Sequence, residues 1–427
     1  MTNKFFNVKT EKGTRITLST DAKFGDYEVL YQKWAWGGID AESLIFVTKD
    51  IAHISENELT EDVKNSPLVK DKSKSLTYKQ GDEFTFVNFN FEVCNHEVSF
   101  KKQDYEPREK TLAQEMAFRN FDIFGDIHGH SCALIELLDK LGYKVNDEGF
   151  YKHPFRMAIF VGDFIDRGPR QKAVIDIVKP MVENGAALAV MGNHEFNAIS
   201  YHTLHPATGE PLRSHSDNHK KQHQAFLDEF TNDVELKETI DWFKTLPLFL
   251  ELSSIRVIHA CWNDKAIASI QSKLDSRNRL DDAFLIAANE KGSVEFEAVE
   301  TLLKGLELRL PAGYSFKDSY GQPRHDIRIK WWQTEDRSYR ELAIVPKSNK
   351  SDMPIDVAPI DDLGDFQYSD NSKLVFFGHY WFQGQPKRLK RNVACLDYSV
   401  AKNGALTAYR WSGSDLEIHD RCFIQVN

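Results

Sequence analysis

Cysteine is scarce in this chain. Five thiols in 427 residues stand far apart (Cys94, Cys132, Cys261, Cys395 and Cys422), in odd number and never as Cys-x-x-Cys. That pattern excludes a disulfide framework and a thiolate zinc site. Long apolar runs are also missing: no stretch nears the ~20 apolar residues that a membrane-spanning helix requires. The opening Met-Thr-Asn-Lys-Phe-Phe leads straight into polar sequence, without the apolar segment of a secretion signal. Positive charge is not in excess either. The 54 Lys and Arg against 64 Asp and Glu give a net of −10, which argues against a dedicated nucleic-acid binder and still allows a locally basic cleft. No internal repeat or low-complexity tract interrupts the chain. These absences lead us to expect a cytoplasmic protein that does not engage membranes.

What is present is enough to build a substantial core. Apolar residues make up 41% and aromatics 12%, and the length suits two domains. Residues 1–110 read as a small mainly-β domain, serving either packing and oligomerisation or the binding of a ligand or partner. Its strand candidates are Thr14–Thr20, Tyr27–Trp36, Ser43–Thr48 and Glu83–Val93, and the last of these alternates aromatic and polar residues with period two. Residues 58–80 are polar and lysine-rich and read as a loop or weak helix. A charged connector spans 103–119. From residue 120 the pattern becomes strand, turn and helix in repetition. Strand candidates Phe121–Phe124, Ala158–Val161 and Ala187–Met191 alternate with helices at Ser131–Leu141 and Arg170–Asn184. Such β-α units build an α/β sheet with its site at the loops beyond the strand ends.

Three of those loops carry the chemistry: Gly125-Asp126-Ile127-His128-Gly129-His130, Gly162-Asp163-Phe164-Ile165-Asp166-Arg167-Gly168 and Gly192-Asn193-His194-Glu195. Two histidines follow at strand-like ends, His259 and His379. Carboxylate, imidazole and amide oxygen together suit hard to borderline divalent cations. Asp126 and His128, two residues apart on an extended turn, can grip one ion. Asp163 can bridge two, and Asn193, His259 and His379 can complete the shell of the second ion. Two ions ~3.5–4 Å apart clamp a phosphoryl group and acidify a water. His194 is placed to protonate a leaving oxygen, with Asp166 setting its tautomer. Arg167 offers a fork of donors to phosphate oxygens. Glu195 reads as a residue that fixes the loop.

The order of these motifs resembles the calcineurin-like metallophosphoesterases, in the branch that holds the phosphoprotein phosphatases and the bacterial dinucleoside-tetraphosphatases. The resemblance spans about residues 120–412 and leaves the N-terminal region uncovered. It implies an αββα sandwich, two divalent metal ions and a metal-bridging hydroxide as the attacking group. It also implies Asp126, His128, Asp163, Asn193, His259 and His379 as ligands, His194 with Asp166 as the proton donor, and Arg167 as the phosphate clamp. The same ligand set accepts manganese, iron, zinc, nickel or cobalt, manganese being the first choice.

The chain departs from the protein-phosphatase pattern in places. Met191 stands where an arginine commonly precedes the third motif, Ala260-Cys261-Trp262 replaces the glycines after His259, and Tyr398-Ser399 replaces Thr-Gly after Asp397. These departures bear on the substrate and leave the ligand set whole. Two insertions are expected to decide it: the basic stretch His202–His223, with Arg213, and a cap around 263–360, with Arg324 and Arg328. These three arginines are the candidates for substrate contact. The first expectation is hydrolysis of phosphomonoesters, of phosphoserine and phosphothreonine in proteins or of small molecules. The alternatives are a bis(5'-nucleosyl)-tetraphosphatase, a polynucleotide-end phosphatase and, in a different class, a non-catalytic metal-binding regulator. Trp331, Trp332 and Trp381 read as core or rim packing ahead of base-stacking platforms.

Overall fold

A computed structural model describes residues 120–317, 323–333, 337–358, 368–413 and 415–427, together with the backbone of seven strands between residues 5 and 102. The expectations for 58–80 and for the connector 103–119 fall outside these residues. The chain divides into two compact units, 1–109 and 110–427. In the first, five strands form one sheet in the order Arg15–Ser19, Phe5–Lys9, Glu97–Lys102, Phe89–Cys94, Glu83–Phe86.

The second unit is an αββα sandwich, as the motif order implies. Strand β1 (Asn120–Phe124) leads to helix α1 (Ser131–Leu141), β2 (Arg156–Phe160) to α2 (Gln171–Glu183), and β3 (Ala187–Ala189) to α3 (Asn193–His202). Helices α4 (Asp217–Glu229) and α5 (Asp233–Lys244) precede strands β4 (Phe249–Glu251) and β5 (Ile255–Ile258). After helix α6 (Val294–Lys304) come β6 (Leu374–Phe377), β7 (Val393–Cys395), β8 (Asp397–Tyr398), β9 (Ala405–Trp411) and β10 (Phe423–Val426). The first sheet runs β3-β2-β1-β9-β8, with β10 also on β9, and the second runs β4-β5-β6-β7. β1, β2 and β3 are parallel, as are β5, β6 and β7.

Alternation along these strands explains the layers. Phe121 and Ile123 of β1, Ile159 of β2, Ile255 and Val257 of β5, and Leu374 and Phe376 of β6 pack together between the two sheets. Their neighbours Phe124, Phe160, Ile258, Val375 and Phe377 point outward into a second core shared with the helices. Both faces are therefore covered, which is why these short strands read as near-continuous apolar runs. Trp331 and Trp332 are 0% and 3% exposed inside that second core, so they are packing residues. α6 presents Ala298, Val299, Leu302 and Leu303 to it at helical spacing.

One polar group interrupts the apolar pattern. Asp122 on β1 is fully buried and accepts hydrogen bonds from Arg156 Nε at 3.0 Å and Arg410 Nε at 2.9 Å. Arg156 also caps the Phe121 and Trp411 carbonyls. The three residues tie β1 to the strands on either side of it, at the end of the sheet opposite the motif loops.

Candidate metal centre

All motif loops leave the carboxyl ends of parallel strands, so the topology gathers them at one edge of the sandwich. β1 delivers Asp126 and His128, β2 delivers Asp163, Asp166 and Arg167, and β3 delivers Asn193 and His194. β5 and β6 of the facing sheet deliver His259 and His379. Main-chain bonds lace these loops together: the Asp163 carbonyl accepts from Ile127 and His128 at 3.0 and 2.9 Å, and the His259 carbonyl accepts from Gly378 at 2.8 Å.

The local backbone is strained where the side chains converge. His128, Asp163, Asp166, Arg167 and His379 all sit in the left-handed region, with φ of 46°, 53°, 67°, 70° and 72°, at about 1–2 kcal/mol each for a residue with a Cβ. Glu195 holds the most constrained pair of loops. Fully buried, its carboxylate accepts from the N–H groups of Asp163 at 2.8 Å, Phe164 at 2.9 Å and Gly192 at 3.0 Å. Burial and the neighbouring Asp163 push its carboxyl up to about 7, and the three donors favour the ionised form against them. Two glycines are required by close approach. A Cβ on Gly378 would stand 1.8 Å from Asp126 Oδ1, and one on Gly192 would stand 2.3 Å from the Asp163 nitrogen and Oδ1.

The donor atoms converge as a cation would require. His128 donates Nδ1–H to the Ile165 carbonyl at 3.0 Å, and His259 donates Nδ1–H to the Val161 carbonyl at 2.8 Å. Each ring thus turns its Nε2 inward. His128 Nε2 faces Asp163 Oδ2 at 3.5 Å, and His259 Nε2 faces Asp163 Oδ1 at 3.4 Å. Asn193 Oδ1 lies 3.0 Å from His259 Nε2 and 2.8 Å from His379 Nδ1. Asp126 anchors His379 by accepting its backbone N–H on Oδ2 at 3.0 Å. Asp126 Oδ1 and His379 Nε2 are buried with no hydrogen-bond partner among the described residues. Ligand atoms of His128, Asp163 and His194 lie within 4.8 Å of one another, as do those of Asp163, His259 and His379. Asp163 thus belongs to both groups, one oxygen toward each. Buried acceptors pointed at one another, with two left orphaned, are what a pair of cations would satisfy.

Charge follows the same plan. Burial lowers His128 to about 3. Burial also works against charge on His259, but Asp163 and Asp126 outweigh it and lift that imidazole to about 10, so a cation bound there would take the place of the Nε2 proton. Asp163 is raised by burial, yet His259, His194 and His128 hold it well below the usual carboxylate range. Asp126 is pushed up by burial and by Asp397.

His194 and Asp166 form a pair with Nδ1 2.6 Å from Oδ2, and His194 Nε2 accepts from Arg167 Nη2 at 3.4 Å. The imidazole therefore faces the metal-ligand cluster through Nε2. Although burial acts against its charge, Asp166 is held at about 2 by hydrogen bonds from His194 and His223.

The stretch His202–His223 is more folded than its basic composition suggests. Its end belongs to α4, capped by Ser216. Arg213 donates to Asn197 Oδ1 at 3.0 Å and Gln222 Oε1 at 3.1 Å, in a narrow cleft that Asp166, His194 and His223 also line. Of the cap arginines, Arg328 is half-buried and its charge bears on His379. Arg324 stands exposed in the hairpin of Phe316–Lys317 and Pro323–Arg324. Sequence reasoning did not assign Asp397, a buried carboxylate that accepts the Trp381 and Ser399 N–H groups behind the site. It also missed the part that His223 plays beside Asp166.

The profile of the calcineurin-like phosphoesterase family matches residues 119–380. Among individual proteins, the chain is 51% identical over 75 residues to an asymmetrical bis(5'-nucleosyl)-tetraphosphatase, PrpE, of Halalkalibacterium halodurans, covering 17% of this chain and 30% of that protein. It is 34% identical over 149 residues to the PrpE of Oceanobacillus iheyensis, covering 33% and 54%. It is 23% identical over 298 residues to a symmetrical bis(5'-nucleosyl)-tetraphosphatase of Buchnera aphidicola, covering 67% and 92%. The chain thus spans 30% and 54% of the length of the first two. Among the described residues, no helix is long and apolar enough to cross a membrane.

Proposed function

The chain belongs to the calcineurin-like phosphoesterases, and from that premise we propose that it hydrolyses phosphoric esters and anhydrides of nucleotides at a centre of two divalent cations. One observation carries the reading: the Nε2 atoms of His128 and His259, each aimed by a backbone carbonyl, face the two oxygens of a single carboxylate, Asp163. Asp126, His128, Asp163, Asn193, His259 and His379 would hold the ions, with manganese our first choice. Bound there, they supply Lewis acidity toward phosphoryl oxygens and acidify water. Arg167 presents its guanidinium to the equatorial oxygens. To act as the acid, His194 takes up a proton from water at Nε2 and delivers it to the departing oxygen, with the ionised Asp166 balancing the imidazolium and holding its Nδ1–H.

The names of the relatives favour dinucleoside polyphosphates over protein phosphomonoesters as substrate. The Asp166-Arg167-Gly168 run and Glu195 support the phosphomonoester reading as second. We place the reaction in the cytoplasm, in keeping with the free thiols of Cys132, Cys261, Cys395 and Cys422. The test is to load the full chain with manganese and offer it diadenosine tetraphosphate, a phosphoserine peptide and an aryl phosphate in parallel. We expect nucleotide release from the first, lost in Asp163→Asn and with chelator. Phosphate release from the peptide alone would give the second reading. Bound metal with no turnover on any of the three would leave a metal-binding regulator in place of an enzyme.

A further inference from the structure

Asp166 has two oxygens and two histidines. While Oδ2 pairs with His194 Nδ1 at 2.6 Å, Oδ1 pairs with His223 Nδ1 at 2.9 Å. His223 comes from α4, 57 residues along the chain. It is 5% exposed, stacked on Phe226 with ring centroids 4.7 Å apart and tilted against Tyr201. Its far nitrogen, Nε2, lies 3.3 Å from Nε2 of His202 at the end of α3. No cation ligand of the centre touches His223, and the reaction proposed above does not use it.

The hydrogens facing Asp166 follow from the bonds. In this arrangement Arg167 can only donate, so His194 accepts at Nε2 and carries its hydrogen on Nδ1, toward Asp166. The ionised carboxylate accepts from both sides, so His223 also carries a hydrogen on Nδ1. The Nε2 atoms of His223 and His202 share one hydrogen between them, which ties a third ring to the row without changing the nitrogen that His223 turns to Asp166.

We propose that His223 is a positioning residue for the proton donor: by holding the second oxygen of Asp166 it fixes the carboxylate plane, and through it the direction in which His194 offers Nε2 to the leaving oxygen. A carboxylate held by one histidine can rotate and carry that histidine with it. Held by two donors from different helices, it cannot turn without breaking one bond. Asp166 is itself in the left-handed region, with φ 67°, so its backbone gives the side chain little support from regular structure. The inference rests on the reading of His194 as the acid. It deepens that reading by predicting that His223 matters in proportion to how badly the leaving group needs a proton.

Two experiments on the full chain test this. The first is independent of activity. With 15N-labelled histidine, the wild type should show two Nδ1–H signals shifted downfield by a carboxylate, and both should move in Asp166→Asn. A His223 signal that ignores Asp166→Asn removes the bond and the proposal with it. The second compares an alkyl phosphate with an aryl phosphate, whose phenolate leaves without help. His223→Phe should lower kcat on the alkyl ester by about tenfold more than on the aryl ester, as expected when a general acid worth ~10²–10⁴ is misaligned. KM should change little on either. His223→Asn, whose amide can stand where Nδ1 stood, should recover most of the difference. Equal losses on the two esters in the well-folded Asn and Phe variants, or no loss on either, would overturn the proposal. A wild type that hydrolyses neither ester nor diadenosine tetraphosphate would fail the functional reading, and the spectrum would still decide the His223 bond.

Discussion

Replacing Glu195 by alanine tests whether the strained loops are held as described. The carboxylate accepts three backbone N–H groups, two from the loop after β2 and one from the loop after β3. A hydrogen bond to a charged group contributes about 1.5–3 kcal/mol, and each buried donor left alone costs about 1–3 kcal/mol. Water entering the space will meet some of that need, so the net loss should be about 3–5 kcal/mol, the usual result of removing one partner from a buried charged network. For a unit of roughly 300 residues, an unfolding entropy of ~2.1 cal/mol/K per residue converts this to a fall of about 5–8 °C in Tm. Asp163 has φ 53° and loses the bond to its own N–H. Its carboxylate should drift, and manganese affinity should fall ~10–100-fold, as for loss of a supporting group behind a ligand. Glu195→Gln can serve only part of the donor set and should fall about midway. Differential scanning calorimetry and competition with a metal indicator give both readouts. An alanine variant that melts within about 1 kcal/mol of wild type and binds manganese normally would refute the clamp.

Two further outcomes follow from the geometry. Gly378→Ala should abolish tight metal binding and turnover together, because its methyl would stand 1.8 Å from Asp126 Oδ1; metal analysis after gel filtration checks this, and full occupancy would contradict it. Asp122→Ala should destabilise the second unit by about 3–5 kcal/mol by leaving Arg156 and Arg410 without their shared carboxylate. Urea unfolding reads that loss, and metal affinity in the folded protein should stay near the wild-type value because Asp122 pairs with Arg156 and Arg410 and with none of the candidate cation ligands.

Much of the fold was legible because its signals are local. Phe121–Phe124 is a run of apolar residues broken by one aspartate, and it forms a strand covered on both faces. Ser131–Leu141 carries leucines at helical spacing, and the helix has those bounds. The pairing of His194 with Asp166 and the loop-fixing role of Glu195 were also readable, since each residue sits inside a short motif whose backbone does the placing. What could not be read depends on distant chain. Asp122 looks like a misfit in its strand until Arg156 and Arg410 arrive from 34 and 288 residues away. His223 lies in a segment so polar that it reads as solvated surface, and nothing local says that one side of its helix meets Asp166. Arg213 reads as a free cation in a basic loop, yet Asn197 and Gln222 occupy its guanidinium. Trp331 and Trp332 read as packing residues ahead of a stacking platform, and their burial bears that out.

The place of β9 has a consequence for how the protein comes into being. β1 lies between β2 and β9, and β9 begins at Ala405. A ribosome working at ~5–20 residues per second needs on the order of tens of seconds to travel from β1 to β9. Throughout that time one edge of β1 is unpaired, and His379 has yet to meet Asp126, 253 positions earlier. Completing the candidate metal centre is therefore a closing event, open only to a chain already extended past His379. A messenger that breaks off before the ninth strand yields a product with an open sheet edge, a natural target for quality-control proteases.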